Sequence, residues 1–259
     1  MNYEEHLTEL VKSIREDYHN GSITIAKKSL LGLKTLNELF GFKDKSQLFQ
    51  LIDELQSSKP SMYALKNVLN LLKTKVENDG LAFLGKSIDD VLCRIELSTI
   101  KTIELALSYI KESFPRLEII VLTTSYSSTF LKFVEELSKI RKLQVYALES
   151  KWRGIDYSAS TVSFCKKIGV DSKVLYFQEL ECSDLQFDFV MTGADCVCPE
   201  EGIINGIPTK ILAEYCLAKS YPFYVLAEEF KFGKFCVPLD GFDFVDIKNV
   251  TKVFSNKGA

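Results

Sequence analysis

Apolar residues recur every three or four positions through the first 116 residues of the chain. Two runs show this spacing clearly: Leu7, Leu10, Val11 and Ile14, and later Ile88, Val91, Leu92, Ile95, Ile103 and Ala106. Such spacing places the apolar side chains on one face of a helix. Only two prolines, Pro60 and Pro115, fall in this part of the chain. The pattern predicts four or five helices, which form a helical domain over residues 1–115.

The pattern changes after residue 116, where short β-branched or aromatic runs replace the helical spacing. These runs span residues 117–123, 143–149, 173–178, 187–193 and 222–227. Each of the first three is followed by a polar or helix-like segment, which is typical of β-α units in a mostly parallel sheet. The sequence therefore predicts the α/β class, with an all-helical N-terminal domain followed by a mostly parallel α/β domain over residues 116–259.

Composition and charge exclude several classes of protein. The chain has 259 residues, of which 46% are hydrophobic, and its formal net charge is −3. An acidic balance of this kind does not fit direct nucleic-acid binding through a basic surface. No apolar run approaches the ~20 residues that cross a bilayer, and the polar start of the chain does not fit a signal peptide. We therefore expect a cytoplasmic protein without direct contact to nucleic acid or membrane.

Histidine and cysteine usage argues against metal and triad chemistry. Both histidines, His6 and His19, lie in the first helix-like stretch, so neither a Ser-His-Asp triad nor a histidine-rich metal site is expected. The seven cysteines are scattered without a framework, which fits a reducing cytoplasm. Cys196 and Cys198 form a C-x-C pair, and we favour two small buried side chains over a metal site because further ligands are not nearby. No metal ion or cofactor is expected.

Three loops of the second half carry the candidate chemistry. The glycine motifs of dinucleotide-binding and P-loop proteins are absent from the sequence. Ligands of open α/β sheets bind beyond the carboxyl ends of the strands, where loops 123–129, 149–154 and 193–209 are expected. The first loop is a hydroxyl-rich turn that either receives an anion or caps a helix. In the third, Asp195 follows an apolar strand and is either a general acid/base or a structural group bonded to loop amides.

The segment 193–232 resembles a family signature. It contains Gly-Ala-Asp at 193–195, then Asn205, Thr209 and Pro-Phe-Tyr-Val at 222–225, and stretches 16–33, 58–72 and 234–251 agree in the same order. Together these motifs resemble the family that joins the regulatory subunits of translation initiation factor 2B to the methylthioribose-1-phosphate and ribose-1,5-bisphosphate isomerases. The resemblance covers nearly the whole chain. It implies a helical N-terminal domain on a Rossmann-like, mostly parallel α/β/α domain.

Departures from the isomerase pattern favour a subunit over an enzyme. The isomerases place a catalytic cysteine where this chain has Ser125, and an alcohol needs an activating base that is not evident here. Their Asn-Lys-x-Gly-Thr segment reads Asn-Gly-Ile-Pro-Thr at 205–209, so its lysine is missing. Asn20 and Lys59 stand where the isomerases have arginines. A doubly phosphorylated sugar needs several fixed cations or amides, and most of them are replaced.

The resemblance therefore implies an initiation-factor-2B-like subunit of the alpha, beta or delta type, similar to the archaeal form. Its expected role is protein binding without catalysis. The expected partners are a second copy or related subunits, in a homodimer or hetero-oligomer, and the alpha subunit of initiation factor 2. A divergent sugar-phosphate isomerase and a sensor of a phosphorylated small molecule are the alternatives.

The resemblance also implies the positions of a ligand site. These positions are Gly21, Ser22, Lys59, Ser125, Ser127, Asp195, Asn205 and Thr209, and among them Asp195 and Ser125 are the vestigial catalytic candidates. We expect Ser125, Asp195 and Asn205 to share one cleft at the carboxyl ends of the strands. In a vestigial cleft, side chains such as Tyr126, Trp152 or Pro208 should narrow the space and few cations should line it. The apolar segment 211–226 further predicts a dimer centred on the C-terminal half.

Overall fold

Residues 2–116 fold into five helices, as their apolar spacing predicts. The computed structural model describes residues 2–182, 185–234 and 237–257. The helices are α1 (Tyr3–Arg15), α2 (Ser22–Phe40), α3 (Lys45–Ser58), α4 (Tyr63–Asp79) and α5 (Leu84–Ser113). No strand occurs between residues 2 and 117, a stretch that is described throughout. Of the described helices, none is both long and apolar enough to cross a membrane.

The second half alternates strands and helices. The strands are β1 (Glu118–Thr123), β2 (Lys142–Leu148), β3 (Lys151–Trp152), β4 (Ile155–Asp156), β5 (Asp171–Leu175), β6 (Phe189–Gly193), β7 (Cys196–Cys198), β8 (Gly202–Gly206), β9 (Phe223–Leu226), β10 (Phe242–Asp246) and β11 (Lys252–Phe254). The helices are α6 (Ser128–Ser138), α7 (Tyr157–Lys167), α8 (Phe177–Cys182) and α9 (Thr209–Lys219). Each of the five predicted β runs overlaps one of these strands.

Six strands form one parallel sheet in the order β5-β2-β1-β6-β9-β11. Every neighbouring pair runs parallel; on β1 and β2, for example, Val121 lies opposite Val145. Numbered by their place in the chain, the strands follow the order 3-2-1-4-5-6 of the Rossmann fold. The predicted Rossmann-like, mostly parallel α/β class is therefore confirmed.

Helices cover both faces of this sheet. One face packs against α6, α7 and the C-terminal half of α5, where Ile103 and Ile110 join the same apolar cluster as Val121 and Phe189. The other face packs against α8, α9 and the small second sheet. The N-terminal half of α5 instead belongs to the core of the helical half. One helix of 30 residues therefore takes part in both cores.

A second sheet, antiparallel, joins β10, β8 and β7. The segment 193–209 was expected to be a loop, and that expectation was wrong for β7 and β8. These strands are short and interrupted by Pro199 and by an acidic turn, so their sequence resembles a loop. Their pairing depends on β10, which lies far along the chain and places Val245 opposite Ile203. The strand β11 and the short β3–β4 hairpin were also not predicted.

The segment 228–232 of the second half inserts into the helical half. Phe230 is buried among the apolar residues of α2, α4 and α5. The Asn67 side-chain amide on α4 donates hydrogen bonds to the carbonyl oxygens of Phe230, at 2.7 Å, and Phe232, at 2.9 Å. Arg94 on α5 pairs with Glu229 through two nitrogens. We call residues 228–232 the interdomain clasp.

Candidate functional site

A crevice opens between β1 and β6, where the strand order of the large sheet reverses. Ser125 follows β1 and Asp195 follows β6, so both leave the sheet at its carboxyl edge. A cavity of about 180 Å³ lies at this edge, and both residues line it. The helical half closes the other side of the cavity with residues that include Tyr18, Gly21 and Lys59.

Asp195 is a partly buried carboxyl group at the end of β6. Burial raises its pKa, while the positive charge of Lys231 and hydrogen bonding from Ser22 oppose the shift. Ser22 is the first residue of α2, and its preceding residue, Gly21, has no side chain to cap the helix. The Asp195 carboxyl group therefore lies beside the N-terminus of α2, where the first amides have no partner within the helix. Asp195 thus connects the sheet edge to the helical half.

A buried ion pair lies behind Asp195, in the interdomain clasp. Lys231 Nζ is 3.0 Å from Glu228 Oε2, and both side chains are almost fully buried. Glu228 Oε1 also accepts hydrogen bonds from Thr99 on α5, at 3.2 Å, and from Thr129 on α6, at 2.5 Å. Although burial acts to raise it, the pKa of Glu228 is lowered overall by Lys231 and by these hydroxyl donors. One buried cation is thus close to two buried carboxyl groups.

Ser125 has an unusual backbone conformation. Its φ is +66°, in the left-handed region that a serine adopts only with some strain. A Cβ on Gly206 would lie 2.8 Å from Ser125 Oγ, so the glycine permits this close approach. The Ser125 carbonyl accepts from Thr161 Oγ1 at 3.0 Å. In the part of the chain that is described, neither a histidine nor a carboxylate hydrogen-bonds to Ser125 Oγ, so the alcohol has no activating base there.

Aromatic rings form the wall beside Lys59. The ammonium of Lys59 lies 3.9 Å from the centre of the Tyr18 ring, and the Arg153 guanidinium lies 4.7 Å from the same ring. Trp152 meets Tyr18 edge to face, with ring centres 5.3 Å apart. The Tyr157 hydroxyl donates to the Tyr18 carbonyl at 2.6 Å. Sequence analysis did not select Tyr18 or Tyr157, because a single tyrosine at the end of a helix carries no motif.

The positions named from the sequence divide into two groups. Gly21, Lys59, Ser125 and Asp195 line the cavity. The other four positions do not line it. Ser22 lies beside Asp195, and its buried hydroxyl has no hydrogen-bond partner among the described residues. Ser127 caps α6, and Asn205 bonds to Thr209.

Asn205 lies below the cleft. Its side-chain amide donates to Thr192 at 3.0 Å and to Thr209 at 2.9 Å, and Thr209 in turn donates to the Gly206 carbonyl at 2.6 Å. These contacts fix the turn between β8 and α9. Ser127 Oγ accepts a hydrogen bond from the Phe130 amide at 3.3 Å. The hydroxyl-rich loop therefore caps a helix, which is one of the two roles expected for it.

Comparison with known proteins shows a family. A model of the initiation factor 2 subunit family, IF-2B, matches residues 21–258. The chain belongs to the IF-2B family. This matches the resemblance carried by the Gly-Ala-Asp and Pro-Phe-Tyr-Val motifs.

Relatives of this IF-2B member come from archaea and fungi. A Pyrococcus horikoshii protein described as translation initiation factor eIF-2B subunit 2-like is 23% identical over 232 residues, which are 88% of this chain and 80% of that protein. The crystal structure of the P. horikoshii OT3 translation initiation factor eIF-2B is similar with a TM-score of 0.80, at 20% identity, over 97% of this chain and 95% of that one. The crystal structure of the tetrameric eIF2B-beta2-delta2 complex of C. thermophilum is similar with a TM-score of 0.77, at 16% identity, over 99% of this chain and 91% of that one. These likenesses show a shared fold.

The cleft of this IF-2B member is narrowed by large side chains. Tyr126 and Trp152 line the cavity, whereas Pro208 does not. Gly241 has a φ of +87°, and a Cβ there would lie 2.6 Å from the Trp152 ring, so the indole packs directly on the backbone. Two cations, Arg15 and Lys59, are found among the lining residues.

The C-x-C pair lies outside the cleft, in β7. Cys196 and Cys198 are buried with Ile204 in a small apolar cluster. No group of three or more potential metal ligands occurs in residues 2–182, 185–234 and 237–257. Cys198 is disulfide-bonded, which the scattered cysteine spacing did not predict.

Proposed function

We propose that this IF-2B family member is a subunit of an initiation-factor-2B-type assembly in the cytoplasm and acts by binding other proteins. Its partners would be a second copy or related subunits, together with the alpha subunit of initiation factor 2. Support comes from the fold, which is similar to that of subunits in the tetrameric beta2-delta2 complex over 99% of this chain. Solved beta and delta subunits are both similar to this chain, so the proposal does not choose among the alpha, beta and delta types.

The state of the cleft supports a role without isomerase activity. Ser125 stands where an isomerase has its thiol, and none of the described carboxylates or histidines contacts its Oγ. Asp195, an acid that lines the same cavity, lies beside the start of α2. Trp152 packs against Gly241 and lines the cavity. The Ser125 environment is the single observation that carries this part of the proposal.

An activity assay tests this part directly. We expect the parent chain to give no ketose above a protein-free background from ribose 1,5-bisphosphate or methylthioribose 1-phosphate. Ser125→Cys should also give none, because a thiol alone does not restore the cations that hold two phosphates. Turnover by the parent that is lost in Asp195→Asn would contradict the proposal. Turnover in Ser125→Cys alone would mean that the phosphate-binding groups are still present.

One observation favours a second candidate, a sensor of a phosphorylated small molecule. Within the described residues, no carboxylate lies within 4.0 Å of Lys59 Nζ, and its nearest partner is the Tyr18 ring. A cation that faces a cavity without an ion-pair partner can receive an anion. Titration calorimetry with ribose 5-phosphate should then give heat that is lost in Lys59→Met. Equal heats from the parent and Lys59→Met would exclude this role for Lys59.

A further inference from the structure

Lys59 differs from the other buried lysine of the chain in what surrounds it. Its side chain is 9% exposed and lines the cavity at the carboxyl edge of the sheet. Lys231 is 3% exposed and pairs with Glu228 at 3.0 Å. Lys59 Nζ instead rests on the Tyr18 ring at 3.9 Å, which leaves the amine facing an enclosed space. An amine in such a place can react with a small molecule that enters the cavity.

Burial makes the neutral form of Lys59 more abundant than that of an exposed lysine. Burial lowers the pKa of the Lys59 ammonium to about 8. Asp17 and Asp195 act to raise this pKa, whereas Arg153 and Lys28 act to lower it further. Arg15 and Asp240 also line the cavity, and Tyr157 lies on the same side. At neutral pH roughly a tenth of the Lys59 side chains are then uncharged, against less than about one in a thousand for an ordinary lysine.

We propose that Lys59 is a nucleophile that captures a small hydroxyaldehyde in this cavity as a reversible imine. Desolvation and a neighbouring cation are the two features that activate lysine toward carbonyl compounds, and Lys59 has both. The cavity of about 180 Å³ has room for a molecule of about six carbon atoms, because a site of ~150 Å³ holds benzene. Its lining includes the hydroxyl groups of Ser61 and Ser125, which suit the hydroxyl groups of such a ligand.

The reaction balances without any further reagent. The lone pair of Lys59 Nζ attacks the carbonyl carbon, a C–N bond forms, and one proton passes from the nitrogen through water to the carbonyl oxygen to give a neutral carbinolamine. Loss of water then forms the C=N bond: the hydroxyl group leaves with a proton from the Asp195 carboxyl group, and the second nitrogen proton returns to the Asp195 carboxylate. Asp195 lines the same cavity, and burial keeps its pKa raised, so a proton is available for this step. Water added back to the imine releases the aldehyde.

Reductive labelling of the full chain tests the proposal. Glyceraldehyde is added with cyanoborohydride at pH 7, the reaction is stopped at low conversion, and the adduct on each lysine is measured by peptide mass spectrometry. We expect Lys59 to be labelled roughly tenfold faster than the exposed Lys43, since its larger neutral fraction outweighs its restricted access. The Lys59 rate should level off above about pH 8, while the rate at Lys43 continues to rise.

Two variants identify the groups involved. Lys59→Arg keeps the cation on the Tyr18 ring, and it should lose the adduct at position 59 without changing the rate at Lys43. Asp195→Asn should slow the labelling of Lys59 severalfold and leave the labelling of Lys43 unchanged. Equal rates of Lys59 labelling in the parent and in Asp195→Asn would show that Asp195 takes no part in the reaction. The measurement on the parent chain alone tests whether Lys59 is the nucleophile. Labelling of Lys59 no faster than Lys43, or a Lys59 rate that still rises near pH 10, would overturn the proposal.

Discussion

Asp195 and Glu228 are two carboxyl groups that both interact with the buried cation Lys231, and their pKa values are shifted in opposite directions. Glu228 has Lys231 at 3.0 Å and two hydroxyl donors, so its ionised form is stabilised. Asp195 is farther from the cation and is governed by burial, so its neutral form is stabilised. Opposite shifts of this kind give the two residues opposite effects on stability as the pH changes.

Replacement of Asp195 by asparagine should increase stability at neutral pH. Because the folded state raises the pKa of Asp195, the unfolded chain loses this proton first as the pH rises above about 3.9, and the parent becomes less stable through that window. Asp195→Asn removes this loss. Denaturant unfolding at pH 7 should therefore show a variant at least as stable as the parent, with the difference disappearing near pH 3. An Asp195→Asn variant that is less stable than the parent at pH 7 would contradict the raised pKa of Asp195.

Replacement of Glu228 by glutamine should have the opposite effect. The lowered pKa means that Glu228 adds stability above its unfolded pKa of about 4.3, and that this contribution is lost as the pH falls through the lower folded value. Glu228→Gln leaves Lys231 buried without its partner, which typically costs about 3–5 kcal/mol. Urea unfolding at pH 7 measures the loss, which should shrink toward pH 3.

The exposed pair of Lys142 and Glu118 provides the control for Glu228. These side chains are 75% and 68% exposed, so Glu118→Gln should cost far less stability than Glu228→Gln. Equal losses from Glu228→Gln and Glu118→Gln would mean that the buried pair contributes nothing beyond a surface one.

Residues of the cleft could be predicted from the sequence when they directly follow a predicted strand. Ser125 and Asp195 follow apolar runs, and the carboxyl ends of parallel strands share one edge, so sequence analysis placed both at the cavity. Asn205 follows a strand of the second sheet, which was not predicted, and it lies below the cavity instead. Lys231 and Tyr18 reach the site through the packing of the two halves, and no spacing along the chain encodes that contact.

The interdomain clasp is the element that ties the two halves together. Phe230 is 5% exposed and belongs to the core of the helical half, although it lies in a turn after β9. Together with the shared helix α5, this contact means that neither half has a complete core of its own. We therefore expect the two halves to unfold together.

Truncation of Phe230 tests the role of the clasp. Phe230→Ala should lower the free energy of unfolding by about 3–5 kcal/mol, because it leaves a cavity in a buried aromatic site. The transition monitored by circular dichroism and by Trp152 fluorescence should remain single and shift equally for both signals. Phe83→Ala, at a residue that is 56% exposed, is the control and should cost about 0.5 kcal/mol or less. A loss confined to one of the two signals would show that the halves unfold separately.

Helices and strands with a clear apolar period could be predicted from the sequence. Short strands whose pairing partner lies far along the chain could not. The helices of the first half and the five central strand runs have apolar patterns that are complete within each segment. The strands β7 and β8 have three and five residues and depend on β10 for their hydrogen bonds. Their local sequence, with Pro199 and several acidic residues, is that of a turn.

At the scale of the whole molecule, most of the apolar segment 211–226 is used within the chain. The strand β9 is buried between β6 and β11, and one face of α9 packs on the sheet. Two large apolar side chains of α9 remain outside, since Ile211 is 50% exposed and Leu217 is 63% exposed. Exposed apolar residues of this kind are consistent with an interface between subunits. The fold class could be predicted from the sequence, because apolar residues recur with the period of each helix or strand. A contact between chains produces no such period.

The native mass of the purified chain tests the central claim, a subunit that acts by association. Sedimentation velocity at micromolar concentration should give a dimer or a larger assembly, and Leu217→Glu should shift the mass toward the monomer because it places a charge in the proposed interface. Leu97→Glu on α5, at a leucine that is 51% exposed, is the matched control and should keep the parent mass. A parent chain that sediments as a monomer, alone and after mixing with the alpha subunit of initiation factor 2, would contradict the account.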